Sequence, residues 1–179
     1  MSREAVVESR KQEIVAKLEK GLTNCTDEEI ELAKQMGDPR VRFHGEHGTI
    51  EVADVSELEN LIAMGPPHFA TDARKDIEST FLKHGVFVLK NEKGESVHFT
   101  MVVPEADDVL WIKYVLTRED CRRQGFAEEM LRYIITHHVK TRAHLDRVGN
   151  EGINKTLLTR LGFMPTIDDE HFEYRRPVT

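Results

Sequence analysis

Arg122, Arg123, Gln124, Gly125, Phe126 and Ala127 are the residues whose types and order bear most directly on chemistry. They fit the pattern Arg/Gln-x-x-Gly-x-Gly/Ala, and they stand between a run of strand character and an amphipathic helical pattern. The first backbone N–H groups of a helix have no intrahelical partners, and the helix dipole adds positive potential there. Gly125 removes a side chain where an anion would approach the main chain, and the small Ala127 leaves room one step further on. Guanidinium groups such as those of Arg122 and Arg123 suit phosphate oxygens. The implied chemistry is phosphate binding by main-chain amides. The bare motif also has a second reading, a tight strand-to-helix turn that binds nothing, so its placement in the chain matters.

The elements that would position this turn follow from periodicity. Residues 109–117 form a long run rich in aromatic and β-branched residues, a strand. Residues 126–140 place Met130, Leu131, Ile134, Ile135 and Val139 on one helical face. Upstream, residues 86–90 and 96–103 read as a hairpin around a turn at 91–94. Residues 105–108 form a polar turn, 48–53 a first strand, and 55–65 and 71–84 two helices. Downstream come a short strand at 143–148, a last helix opening at 149–151 and closed by Gly162, and a hairpin of 163–167 with 171–175. Two further helices lead the chain, 3–20 and one opened by the capping-box residues Thr26 to Glu29. The expected fold is α/β, a mixed and mostly antiparallel central sheet with helices on both faces. The expected domains are an N-terminal helical extension, 1–45, and a catalytic-type domain, 46–179.

Composition limits the function classes. The chain has 179 residues, a formal net charge of −7 and a pI near 5.7. An acidic balance argues against nucleic acid as the main partner and suits a cationic substrate such as an amine. Cys25 and Cys121 make neither a disulfide framework nor a zinc spacing, and no metal is expected. The first residues begin a charged helix rather than a signal peptide, and no apolar run approaches a membrane span. The expectation is a cytoplasmic protein.

The order of elements, the Arg122 to Ala127 turn, and the later run from Asn154 through Leu158 to Leu161, Gly162 and Phe163 resemble the GNAT superfamily of acyl-CoA-dependent N-acyltransferases. The resemblance spans roughly residue 48 to the C-terminus. It implies acetyl-CoA as co-substrate and a primary amine as acceptor, joined by direct attack in a ternary complex. It implies that backbone N–H groups from Arg123 to Ala127 cradle the CoA diphosphate. Val115, Leu116 and Thr117 would part from the neighbouring strand at a bulge and pair with the pantetheine arm, and an amide near Leu116 would polarise the thioester carbonyl. Asn150 or Asn154 would meet the pantetheine or the leaving thiolate.

Two familiar positions depart from the family pattern. The proton-donating tyrosine four residues before the glycine is Leu158, and the early-strand glutamate base is Trp111. Tyr114, His98, His144 and Asp146 are the substitutes the sequence offers for proton transfer, each also readable as an ordinary strand residue. Asp168, Asp169 and Glu170 are candidates to hold a cationic acceptor, or a plain solvated turn. The leading helices leave room for a homodimer through them or through a sheet edge. A non-catalytic acyl-CoA-binding or interaction module, and acetylation of a macromolecular amine (a protein lysine or a nucleic-acid amine), are the alternative functions.

Overall fold

The structure is a computed structural model that describes residues 2–105, 108–147, 149–150 and 152–179. Ala106 and Asp107 of the expected polar turn, Val148 at the expected strand end and Glu151 at the expected helix start lie outside the described residues.

Among the described residues, eight strands form one sheet in the order β1-β2-β3-β4-β5-β6-β8-β7. The strands are β1 (Arg42–His44), β2 (Thr49–Val52), β3 (Val86–Lys90), β4 (Ser96–Pro104), β5 (Val109–Thr117), β6 (Arg142–Asp146), β7 (Met164–Pro165) and β8 (His171–Arg175). Every neighbouring pair is antiparallel except β5 with β6. A parallel pair needs a crossover, and α5 (Phe126–His137) supplies it.

Strand alternation divides the core in two. Phe87 and Leu89 of β3 face one layer, with Met130, Leu131 and Ile134 of α5 and Leu158 of α6 (Lys155–Arg160). Val86 and Val88 face the other, with Leu58 and Leu61 of α3 (Leu58–Met64) and Ile77 and Phe81 of α4 (Arg74–Leu82). Burial on both faces explains why β3 reads as a continuous apolar run, and in β4 it takes in the polar His98 and Thr100 along with the apolar residues.

The leading helices, α1 (Arg3–Lys20) and α2 (Asp27–Gln35), belong to the first layer. Ile14, Leu18, Ile30 and Ala33 sit in the same cluster as α5. Glu29, buried in α2, closes the capping box with Thr26 and takes Lys17 at 2.6 Å and Arg10 at 3.2 Å from α1. These contacts hold its carboxyl below the usual range, the Lys17 hydrogen bond most of all. The buried His84, at the end of α4, bonds the Cys25 carbonyl at 3.0 Å, and the Tyr133 hydroxyl donates to Arg40 O at 2.8 Å. The boundary expected at residue 45 falls inside the β1–β2 hairpin, and the helices ahead of it share the main core.

Two elements differ from expectation. β1 was not foreseen, because three residues carry no readable alternation. The last helix begins at Lys155, not at 149, because the Asn154 side chain accepts the Leu157 N–H and sets the cap there. Among the described residues no helix is long and apolar enough to cross a membrane.

Candidate active site

The turn from β5 into α5 is built from backbone conformations that side chains resist. Arg123 has φ 63° and Gly125 φ 88°, both left-handed. Alternation of this kind turns successive N–H groups toward one concavity, a nest for an anion. Gly125 is the N-cap of α5, and no side chain caps the helix. Among the described residues, the amides of Arg123, Gln124, Gly125, Phe126 and Ala127 donate to no other group. Arg122 and Arg123 are exposed and, among the described residues, their guanidinium groups have neither a hydrogen-bond nor an ion-pair partner. The Gln124 side chain bonds Asp120 O at 3.4 Å, while Phe126 is buried and Ala127 packs on the core.

His47, from the β1–β2 turn, leans on this nest. A Cβ at Gly125 would stand 2.9 Å from its Nε2. Its ring meets Phe126 edge-on at 5.6 Å, and its Nδ1 lies 2.5 Å from Glu129 Oε2, which also accepts its backbone N–H at 2.9 Å. A groove of about 630 Å³ runs from here along α5, lined by Phe43, His47, Gly125, Glu129 and Arg132 among others. A second groove of similar volume lies at Arg142, Arg175 and Arg176, at the other end of β5 and β6.

β5 parts from β6 just before the nest. Their pairing ends at Ile112 with Leu145, while β5 runs on to Thr117 beside β4. The β4–β5 register shifts between Met101 and Val102, which leaves Lys113 as the extra residue of a bulge. The buried Asn150 fills the apex of the opening. Its Oδ1 accepts the Val115 N–H at 2.8 Å, and its Nδ2 donates to Lys113 O at 3.1 Å and to Asp146 O at 2.8 Å. These partners fix the amide orientation, since one end meets a donor and the other two acceptors. Strand alternation turns the Thr117 N–H to the same open edge as Val115 and the Leu116 N–H toward β4. The amides on the open edge are therefore those of Val115 and Thr117, not that of Leu116.

Of the two asparagines left open by the sequence, Asn150 stands at the apex and Asn154 is spent on the α6 cap. His98 is fully buried in β4, with Nδ1 2.8 Å from Thr117 Oγ1 and Nε2 2.9 Å from Thr100 Oγ1. Burial pushes its pKa down to about 3, so it is a neutral, fully bonded sheet residue with no nitrogen left for a substrate. This corrects its candidacy as a catalyst.

Tyr114 lies beside the apex, edge-on to Phe69 at 4.7 Å and against the Gly149 backbone. His144 stacks on Trp111 at 5.8 Å and lies 3.5 Å from Glu105. Asp146, two residues on, lies 3.8 Å from His171 Nε2. Trp111, Tyr114, His144 and Asp146 thus occupy the face of the sheet opposite α5, beside the opening. The acidic turn is partly neutralised. Asp168 accepts from the Glu170 and His171 amides and from the His171 ring, Asp169 pairs with Lys155 at 2.8 Å, and Glu170 with Arg147 at 3.5 Å. The Asp168 hydrogen bond raises the pKa of His171.

His171, His47 and Lys113 are site neighbours that sequence reasoning missed. For His171 the signal was present, a histidine directly after three acids. For His47 there was none, because its partner Glu129 is 82 residues away. Among the described residues no cluster of His, Cys, Asp or Glu is arranged to hold a metal ion.

Comparisons with known proteins bear on the family and the fold. A family model described as the acetyltransferase (GNAT) family matches residues 54–163. Comparison with curated protein sequences gave no match. Among solved structures, a GNAT-family acetyltransferase from Bacillus cereus superposes with a TM-score of 0.56 at 12% identity, covering 72% of this chain and 97% of that one. The N-acetylglutamate synthase of Neisseria gonorrhoeae, complexed with coenzyme A and N-acetyl-glutamate, gives 0.57 at 14%, over 70% of this chain and 34% of that one. A GNAT-family acetyltransferase from Staphylococcus aureus gives 0.55 at 13%, over 70% and 97%. At such identities these likenesses concern the fold.

Proposed function

Since the chain belongs to the GNAT family of acetyltransferases, we propose that it moves an acetyl group from acetyl-CoA to a primary amine by direct attack within a ternary complex. The observation that carries this reading is the nest. Among the described residues, five consecutive main-chain amides, 123–127, lack partners beside two unpaired guanidiniums, and that donor set fits a diphosphate. When bound, acetyl-CoA supplies an activated acyl group.

The chain's own residues would do the rest. The amides of Arg123 to Ala127 hold the diphosphate, with Arg122 and Arg123 neutralising its charge. The open edge of β5 takes the pantetheine arm as an added strand. The Thr117 N–H faces that edge, and the Val115 N–H becomes a donor to an acyl oxygen when Asn150 Oδ1 gives it up. Tyr114, whose ring lies against the Gly149 backbone beside the apex, is the hydroxyl proposed to return a proton to sulfur. The acceptor must lose a proton before it attacks, and His144, Asp146 and His171 offer a route outward for it. Asp168, Asp169 and Glu170 add negative potential on that side for a cationic amine.

Titration calorimetry with acetyl-CoA tests the first half of this, and free-thiol release with polyamines, aminoglycosides, amino acids and lysine peptides tests the second. No heat of binding at millimolar coenzyme ends the reading. The second reading, a non-catalytic acyl-CoA-binding module, draws on Asn150 seated on the Val115 amide and on fully buried Leu158 where many family members carry tyrosine. Coenzyme binding without thiol release from any acceptor would favour it.

A further inference from the structure

Lys113 stands at the point where β5 and β6 separate. It is the bulged residue of β5, and its carbonyl is one of the groups held by Asn150. Its ammonium lies over two rings on the face opposite α5, 5.2 Å from the Trp111 centroid and 5.7 Å from that of Tyr114. Asp76, from α4, pairs with it. The side chain is only 17% exposed, although a lysine on a sheet face ordinarily extends into water. The same face carries His144 and Asp146. A primary amine of the chain itself therefore occupies the aromatic wall beside the opening, two residues before Val115.

We propose that Lys113 is an acetylation site that the protein modifies itself, in cis, from acetyl-CoA. The proposal rests on the placement of the thioester along Val115–Thr117 given above. A tethered amine beside a bound thioester reacts at a high effective concentration, without the entropic cost of a second encounter. The ammonium first gives one proton to solvent by way of the Asp76 carboxylate. The neutral Nζ attacks the acyl carbon, the C–N bond forms and the C–S bond breaks. The second proton lost by nitrogen goes to the departing thiolate, which leaves as free CoA thiol. The product amide has no charge. It ends the Asp76 ion pair and the cation–π contacts, and it leaves the rings and the carboxylate to a diffusible amine.

The test is made on the full chain. The protein is incubated with acetyl-CoA, digested with a protease that does not cut at lysine, and followed by mass spectrometry, with coenzyme binding measured on the same sample by calorimetry. Acetyl should appear at Lys113 at least about tenfold faster than at the exposed turn residue Lys93. The first-order rate should not change when the protein is diluted tenfold, as cis transfer requires. Gly125→Val, which disrupts the nest, should abolish the difference between the two lysines. Coenzyme bound with Lys113 unmodified, or modified only at the Lys93 rate, overturns this inference and leaves the proposed function standing. A protein that binds no coenzyme takes both down.

Discussion

The two halves of β5 make an instructive pair. From Leu110 to Ile112 the strand has a neighbour on each edge, β4 and β6. From Tyr114 to Thr117 only β4 remains, and the strand then runs into a turn whose amides have no partner among the described residues. An unpaired backbone group away from water costs about as much as a lost hydrogen bond, so a strand opened on one side needs a reason. In the first half the ladder is the structure. In the second half one side chain, Asn150, stands in for the missing ladder and covers three main-chain groups. A side chain can be moved by a ligand in a way that a strand cannot.

Substitutions can break or sharpen that contrast. The largest effect is expected for Asn150→Ala, which leaves three backbone groups at the apex unpaired. Urea titration should give a loss of about 3 kcal/mol. A loss below about 1 kcal/mol would mean that water already reaches the apex and that the two halves differ less than they look.

Gly125→Val adds a β-branched side chain at φ 88°, against His47 Nε2. Coenzyme affinity should fall by about thirtyfold in calorimetry, equivalent to about 2 kcal/mol, because left-handed strain displaces the amides. Unchanged affinity would move the diphosphate elsewhere.

His98 sharpens the comparison from the closed side of the sheet. Its folded-state pKa, about 3, lies below that of the unfolded chain, so the unfolded state binds more protons in that interval. The stability it contributes is present above the ordinary histidine range and is lost as pH falls toward about 3. His98→Gln should flatten the acid limb of stability against pH by about 1.4 kcal/mol per unit within that window, read from denaturant midpoints at successive pH values. A parallel acid limb would show that His98 is solvated.

The smallest effect is expected for Arg123→Ala, an exposed charge. Coenzyme affinity should drop about fivefold at low salt, while pantetheine, which lacks the diphosphate, should bind as before. Equal losses for both ligands would point to a change of the turn itself.

Much of this contrast was legible in the sequence. The apolar run of β5, the glycine after it and the stripe of α5 specified strand, turn and helix, because each rests on local periodicity or backbone preference. The departures arose where distant residues decide. Asn150 and Asn154 are equivalent as sequence, and only the three-dimensional position of Lys113 O and Val115 N separates them. His98 alternates like any residue of a hairpin, and its burial depends on Thr100 and Thr117 closing over both nitrogens. β1 exists because Phe43 finds Ile50 across a tight turn, a pairing that three residues cannot announce. The sequence carries no signal for Lys113, because its place comes from a one-residue register shift between β4 and β5.

The single parallel pairing has a kinetic consequence. β6 can join β5 only after the polypeptide has travelled through α5, while β3, β4 and β5 can zip by short turns. The seam at Asn150 should be among the last to knit during folding and among the first to loosen in the native state. Amide deuteration should therefore be fastest at Val115 and Thr117 within β5, and a coenzyme laid along that seam should slow it more than anywhere else in the sheet.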